Sequence, residues 1–273
     1  MRVVLVTQVP AAAHGLAAML GSLGHEPVGL LCSRAGADRE ASRFAELVRD
    51  APAELDVVVP ATKERIAPLL RTLDPDLLLC AGFPWRIPED ALAVPRLGCI
   101  NAHAAPLPKY RGPYPFAWAI RNGDAEMGMT LHRMDADFDT GAILAQGSFA
   151  LGDEESLDDL GPKLEAIVVE LLPEALARVE RGDPGDPQDD AVSSYAGAFE
   201  PEYARIDFSR PAAEIHRQVR AWRFMPGDEM PTADLDGRTV RVLRTRLEPG
   251  EGEPVECGDG IIWLVETEAV DVG

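Results

Sequence analysis

The sequence predicts an open, mostly parallel α/β sheet followed by a small, β-rich C-terminal domain. The first 150 residues alternate short apolar runs with helix-like segments, and the apolar runs are continuous stretches of Val and Leu. Such runs are typical of a parallel sheet whose two faces are both covered by helices. Strand–helix alternation in turn implies right-handed crossovers between neighbouring strands.

The expected elements follow one another closely in this half of the chain. The predicted strands are 3–7, 27–32, 56–59 and 76–80, and the predicted helices are 12–23, 40–49 and 64–73. A long helix follows at 157–176, with an apolar stripe at helical spacing. Ser156 is its expected N-cap, because Asp159 stands three residues further on.

Composition changes sharply after this helix. Residues 182–190 read GDPGDPQDD, which is typical of a linker. A helix is expected to begin near 209–211, and β-like runs follow at 239–243 and 261–265. We therefore divide the chain into a first domain at 1–182, a linker at 183–194 and a small domain at 195–273.

Charge and hydropathy argue against several classes of function. The chain of 273 residues carries 26 basic and 46 acidic side chains, a net charge of −20, which disfavours generic nucleic-acid binding. It contains no apolar run of the roughly 18 to 20 residues that a membrane helix needs. The N-terminal run MRVVLVTQ lacks the features of a signal peptide, so a cytoplasmic location is expected.

The cysteines and the first strand turn argue against metal and dinucleotide sites. Cys32, Cys80, Cys99 and Cys257 lie far apart without a CxxC pair, so we expect buried thiols and neither a metal site nor disulfides. The first strand runs into residues 8–11, QVPA, and not into a GxGxxG turn. A dinucleotide cofactor is therefore disfavoured, because its pyrophosphate needs the close backbone approach that those glycines give.

The residues that indicate chemistry begin at the strand-like run before residue 104. Asn101 and His103 are two positions apart, so their side chains share one face of the strand. A loop rich in Pro and Gly, LPKYRG at 107–112, follows directly and forces a non-helical turn. Further on, Asp139 opens an Asp-Thr-Gly turn that can direct a carboxylate into the same space.

These three motifs, in this order, resemble the folate-dependent formyltransferases. That family includes methionyl-tRNA formyltransferase, the sugar N-formyltransferases and the formyltetrahydrofolate hydrolase domains. The likeness covers roughly residues 1–225, and the segment 204–211 resembles the start of the family's C-terminal domain. The resemblance implies a Rossmann-like formyltransferase fold, a catalytic domain at 1–182, a truncated C-terminal domain at 195–273 and 10-formyltetrahydrofolate as co-substrate, without a metal.

The resemblance also implies that Asn101, His103 and Asp139 are catalytic. An amine would attack the formyl carbon and create a tetrahedral intermediate with a developing oxyanion. The Asn101 amide and a protonated His103 would donate hydrogen bonds to that oxyanion. Asp139 would favour the imidazolium and take the ammonium proton directly or through water. Without the flanking motifs, Asn101 and His103 would read as an ordinary strand asparagine and core histidine. His132 is expected to be structural.

Two further groups of residues follow from the same resemblance. The expected pteridine-binding wall consists of Trp85, Arg86, Ile87, Ala105, Pro106, Leu107, Pro108, Asp135 and Asp137. The expected acceptor-binding residues are Tyr110, Arg111 and Tyr114. Backbone groups of the wall are natural partners for the edge of a pterin.

The acceptor is predicted from charge. Residues 200–273 hold nine arginines against sixteen acids, and 34–54 hold four arginines against five acids. These counts favour a small amine, such as a nucleotide-linked aminosugar or a biosynthetic intermediate, over RNA. Methionyl-tRNA stays an alternative, because Arg217, Arg220 and Arg223 form a local basic group. Two other functions stay open. One is a hydrolase that uses water as acceptor and releases formate, and the other is a catalytically silent protein that binds folate or a partner. The sequence predicts no oligomeric state.

Overall fold

The computed structural model describes residues 1–34, 38–227, 229–235 and 237–270. For residues 38–43 it describes the backbone only. Part of the 34–54 segment, whose charges were counted above, therefore lies outside the described residues. The chain divides into two units. The first comprises Met1–Arg111 and Gly128–Ser194, and the second comprises Gly112–Met127 and Tyr195–Gly273.

The first unit is built on a seven-stranded sheet. Its strands are β1 (Arg2–Thr7), β2 (Glu26–Leu31), β3 (Asp56–Val58), β4 (Leu77–Ala81), β5 (Cys99–His103), β6 (Glu126–Arg133) and β7 (Ile143–Ala150). Their order in the sheet is β3-β2-β1-β4-β5-β6-β7. The pairs from β3 to β5 are parallel, and β6 runs antiparallel to β5. The predicted open, mostly parallel sheet is confirmed.

The helices of the described chain lie between these strands and beyond them. They are α1 (Pro10–Ser22), α2 (Asp38–Arg49), α3 (Ile66–Leu73), α4 (Glu89–Leu92), α5 (Pro115–Asn122), α6 (Leu157–Glu180) and α7 (Ala212–Trp222). The predicted capping box is present at α6, where the Ser156 side chain accepts from the Asp159 N–H and the Asp159 carboxylate accepts from the Ser156 N–H.

Successive residues of the central strands pack into two different cores. Leu5 and Leu79 belong to the apolar cluster on one face of the sheet, whereas Val4 and Leu78 belong to the cluster on the other face. All four side chains are fully buried. Because both faces are covered, the strands need apolar residues at every position, which explains the continuous Val and Leu runs.

The second unit contains a four-stranded antiparallel sheet. Its strands are β8 (Thr232–Leu235), β9 (Arg238–Arg246), β10 (Glu253–Cys257) and β11 (Gly260–Ala269), in the order β10-β11-β9-β8. Helix α7 packs on this sheet through Ile215 and Val219, which share a core with Val242 and Ile262. The sequence did not predict β8, β10 or α5. Helix α5 begins at Pro115, directly after a proline-rich loop.

The glycine- and proline-rich segment after α6 is attached to the first unit. The Arg178 guanidinium binds the carboxylates of Asp183 and Asp186, with distances of 2.8 Å to each. The backbone of Asp186 exchanges two hydrogen bonds with that of Ile143. The segment predicted as a linker therefore follows a fixed course along the sheet. No helix of the described chain is both long and apolar enough to cross a membrane.

Candidate active site

The Asn101 and His103 side chains emerge from β5, beside the point where the sheet changes from parallel to antiparallel pairing. Asn101 lies opposite Cys80 of β4 and opposite His132 of β6. His103 is the last residue of β5. Ligands of open α/β sheets bind at the carboxyl ends of the parallel strands, and His103 occupies such an end.

Asp139 lies in the loop between β6 and β7 and completes the predicted trio. Its Oδ1 accepts from Asn101 Nδ2 over 3.3 Å, and its Oδ2 is 3.6 Å from His103 Nδ1. The His103 side chain is 9% exposed and the Asp139 side chain 11% exposed. The structure therefore brings together three polar side chains that are separated by up to 38 positions, and it partly removes them from solvent.

The hydrogen-bond partners of His103 fix its tautomer. Nε2 lies 2.8 Å from the carbonyl oxygen of Tyr110, and a carbonyl only accepts, so Nε2 carries the hydrogen. In the neutral ring Nδ1 is then unprotonated and faces Asp139. Nδ1 is the atom of this ring that can take up a proton, and Asp139 Oδ2 stands next to it.

His132 belongs to the same hydrogen-bond network, although the sequence indicated a structural role. Its Nδ1 lies 2.7 Å from the Arg133 carbonyl oxygen and must donate to it, which leaves Nε2 as an acceptor. Asn101 Nδ2 donates to this Nε2 over 3.2 Å. Asn101 Nδ2 therefore donates to both His132 Nε2 and Asp139 Oδ1, two acceptors that lie 3.4 Å from each other.

Protonation of His103 is opposed by its surroundings. Burial lowers the pKa of His103 below its ordinary value of 6.5, and the adjacent His132 lowers it further. The Asp139 carboxylate and the Tyr110 carbonyl raise this pKa, but burial outweighs them. The lowered pKa favours a neutral His103 in the free protein at neutral pH. The imidazolium that the sequence led us to expect beside Asp139 during the reaction stays a prediction.

A histidine titration is expected to show this directly. Because the pKa of His103 is lowered, the ring should bind its second proton only below pH 6.5. NMR titration of the histidine Cε1 protons measures the midpoint, and the spectrum of His103→Gln identifies the resonance. A midpoint at or above pH 6.5 would contradict the assignment of a neutral ring.

Two of the loops predicted to hold the pteridine lie near one another. The Arg86 guanidinium is 3.5 Å from the Asp137 carboxylate, which connects the 85–87 loop to the 135–139 loop. Asp135 Oδ1 accepts from the N–H of Asp137 and from the Thr140 hydroxyl. Ile87 is buried in the core, 3% exposed, while Arg86 and Asp137 are exposed, so this pair stands at the surface.

The third predicted wall segment, 105–108, already uses several of its backbone groups. The Thr130 hydroxyl donates to the Ala105 carbonyl oxygen and accepts from the Leu107 N–H. Gln146 donates to the Leu107 carbonyl oxygen over 2.8 Å. Because Ala105 and Leu107 are also buried, they shape this wall from behind. Pro106 and Pro108 are partly exposed.

The predicted acceptor-binding residues are placed differently from one another. Tyr110 is 5% exposed and has a left-handed backbone with φ 61°, so little of its ring is available for stacking. The Arg111 guanidinium binds Gln188 Oε1 and the Asp190 carboxylate. Tyr114 precedes α5 in the second unit. Their contact with an acceptor stays a prediction.

The described part of the chain offers neither a group of metal ligands nor a reactive thiol among its buried cysteines. There, no three His, Cys, Asp or Glu side chains are arranged to hold a metal ion. Burial raises the pKa of the Cys32 thiol to about 11 and that of the Cys99 thiol to about 12. Burial also raises the pKa of the Cys80 thiol, which lies beside Cys99. These thiols are therefore protonated and unreactive at neutral pH.

Two family models match the chain. The model described as formyl transferase matches residues 20–176, and the model described as formyl transferase, C-terminal domain, matches residues 199–273. A methionyl-tRNA formyltransferase of Pseudomonas putida (strain W619) is 35% identical over 289 residues, which cover 98% of this chain and 91% of that protein.

Solved structures share the fold at lower identity. HypX from Aquifex aeolicus, in complex with tetrahydrofolic acid, superposes with a TM-score of 0.66 and 19% identity, covering 98% of this chain and 44% of that one. An N-formyltransferase from Helicobacter canadensis, in complex with folinic acid and dTDP-3-aminofucose, gives a TM-score of 0.65 and 19% identity, covering 98% of this chain and all of that one (100%). At these identities the likeness shows the fold.

Proposed function

Because the chain belongs to the formyl transferase family, we propose that it moves the formyl group of 10-formyltetrahydrofolate to the primary amine of a small-molecule acceptor. The observation that supports this most directly is the convergence of Asn101, His103 and Asp139 beside the carboxyl end of β5. A hydrogen-bond donor can stabilise the oxyanion of formyl transfer between two amines, a neutral imidazole can accept the amine proton, and a carboxylate can stabilise the imidazolium that results.

The loops around this trio suit a formylated pterin. A pterin edge presents N–H and carbonyl groups, which pair with carboxylates and backbone groups. We assign the donor site to Trp85–Ile87, to 105–108 and to Asp135 and Asp137. The pairing of Arg86 with Asp137 places two of these loops side by side. The bound co-substrate would supply an electrophilic formyl carbon; the protein supplies orientation, proton transfer and charge stabilisation.

Each member of the trio has one task in this reaction. His103 Nδ1 takes the proton that the attacking amine loses, and Asp139 stabilises the resulting imidazolium. Asn101 donates to the oxyanion of the tetrahedral intermediate with the hydrogen that points to Asp139 in the free protein. In this step Asn101 keeps its contact with His132 and exchanges its contact with Asp139 for the oxyanion. The acceptor nitrogen forms a bond to the formyl carbon, the bond from that carbon to the folate nitrogen breaks, and the His103 imidazolium gives its proton to the departing folate nitrogen.

Charge pairing in the second unit supports a small acceptor. Arg205 binds the Asp234 carboxylate, and Arg210 binds Glu214 at 2.5 Å. On the sheet, Arg241 lies 3.9 Å from Glu268 and Arg244 lies 4.0 Å from Glu266. An RNA backbone would have to displace these acids before the four arginines could neutralise its phosphates.

Methionyl-tRNA is the second candidate acceptor. The Pseudomonas putida methionyl-tRNA formyltransferase named above favours it, because its identity with this chain extends over 98% of the chain. The arginine group on α7 supports it less than the sequence suggested. Arg220 is buried, 8% exposed, and the Nε of Arg217 is also buried, which leaves Arg223 as the exposed member. Water as acceptor, with release of formate, would use the same three residues.

A label-transfer experiment is expected to separate these acceptors. The protein is incubated with 10-formyltetrahydrofolate labelled in the formyl carbon, with a small-molecule extract, the same extract after dialysis, or methionyl-tRNA. We expect label on a low-mass amine that dialysis removes, and its mass identifies the acceptor. Label on methionyl-tRNA alone would select the second candidate, and label in formate alone would select hydrolysis. Label that stays on the folate in every arm would contradict formyl transfer altogether.

A further inference from the structure

The loops that carry the catalytic groups contain unusual backbone. Among non-glycine residues of the described chain, positive φ angles occur at Asp74, Tyr110 and Asp139. Asp139 has φ 56°, and Tyr110, whose carbonyl binds His103, has φ 61°. A left-handed conformation costs a residue with a side chain roughly 1–2 kcal/mol, so it persists only where other contacts hold it.

One segment supplies the contacts at both places. Gln188 Nε2 donates to the carbonyl oxygens of Asp139 and Gly141, each over 2.8 Å. The Ser194 hydroxyl accepts from the Tyr110 N–H over 2.9 Å. The Ser194 backbone forms two more hydrogen bonds. Its N–H donates to the Pro108 carbonyl oxygen, and its carbonyl oxygen accepts from the Arg111 N–H. Residues 188–194, here called the strap, therefore support the loops of both Asp139 and His103.

Gln188 is fully used by these contacts. Its Oε1 accepts from Nε of Arg111 over 3.0 Å and from Nη2 over 2.8 Å. Two donors and two acceptor positions are the whole capacity of a glutamine amide, and all are filled within the first unit. Arg111 thereby fixes the orientation of the Gln188 amide, with its N–H groups directed at the Asp139 loop.

We propose that Gln188 is a positioning residue for formyl transfer, which acts through Asp139. By holding the carbonyl of Asp139 and that of Gly141, it fixes the two peptide planes that bracket the turn, and so it sets where the carboxylate meets Asn101 and His103. Arg111, expected from the sequence to bind the acceptor, has in this arrangement the task of orienting Gln188. The expected loss of kcat rests on the proposed function, whereas the expected change in the pKa of His103 does not.

Two substitutions separate the two sides of the Gln188 amide. Gln188→Leu removes all four hydrogen bonds at similar size. Gln188→Glu retains the acceptors for Arg111 but sets a carboxylate oxygen against the two loop carbonyls. We expect both variants to lose about 10²-fold in kcat, as misplaced catalytic groups do, with an unchanged KM for the folate. Val192→Ala, an exposed position of the same strap, is the control and should retain wild-type kcat.

A readout on the free protein distinguishes positioning from support of the fold. If the Asp139 carboxylate moves away, His103 loses a group that raises its pKa. The NMR midpoint of His103 should therefore fall further in Gln188→Leu, at a temperature well below thermal unfolding of the variant. This measurement needs no acceptor, so it stands even if the wild-type protein transfers no formyl group.

Three results would overturn the proposal. One is a Gln188→Leu variant with wild-type kcat. Another is an unchanged His103 midpoint in that variant. The third is a Gln188→Glu variant that behaves like the wild type, since this would assign the effect to Arg111 alone. A loss of kcat that disappears on cooling would show that Gln188 only stabilises the fold, and it also counts against positioning.

Discussion

Replacement of Asp139 by asparagine is expected to lower kcat by about 10³-fold, within the range that a lost acid–base group costs. The side chain keeps its size, but the negative charge 3.6 Å from His103 Nδ1 is lost. His103 is buried, so without that charge the imidazolium formed during proton transfer has no anionic partner at this distance among the contacts of the trio. Formyl transfer to the acceptor, measured with labelled co-substrate at saturation, gives kcat.

Asp90→Asn is the matched control for this prediction. Asp90 is an exposed residue of α4 in the same unit, and its substitution should leave kcat unchanged and stability within about 0.5 kcal/mol. The His103 midpoint should move further below pH 6.5 in Asp139→Asn, since the carboxylate that raises its pKa is removed. If Asp139→Asn retained wild-type kcat, the proton would have to leave by another route.

The sequence predicted the sheet because both of its faces are buried, and it predicted the trio because two motifs flank Asn101 and His103. It did not predict the role of His132. That role depends on the antiparallel register of β6, which places His132 opposite Asn101 across 31 positions. Local patterns contain the strand but not the register, so a histidine on an apolar run reads as a core residue.

The sequence did not predict the contacts of Gln188, for a different reason. The Gly, Pro and Asp around it are typical of a linker, and composition says nothing about contacts across 49 positions. Arg220 illustrates the opposite error. The sequence suggests that a basic helix segment is exposed, but the Arg220 side chain is buried in the structure. Tertiary contacts thus change the interpretation of residues in both directions: they add Gln188 to the site and remove Arg220 from the surface.

Substitution of Gly141 by alanine is expected to be among the most damaging single-methyl changes in the chain. A Cβ at this position would lie 1.9 Å from the Arg133 carbonyl oxygen and 2.7 Å from its carbon, so backbone must shift. That carbonyl accepts the His132 Nδ1 hydrogen, and the Gly141 carbonyl accepts from Gln188. The methyl therefore strains the fold and displaces the Asp139 turn together.

We expect Gly141→Ala to lower the free energy of unfolding by about 1–3 kcal/mol, as overpacking does, and to reduce kcat even in the folded fraction. Urea unfolding and labelled formyl transfer on the same samples measure the two effects. Gly21→Ala is the control: Gly21 lies in α1 with nothing within 4 Å of the new Cβ, so alanine should stabilise the helix by about 0.5–1 kcal/mol. Opposite signs at the two glycines would follow from space alone. An unaltered Gly141→Ala protein would mean that the Asp139 turn does not pack against Arg133, and the network of Asn101, His132 and Asp139 would lose its anchor.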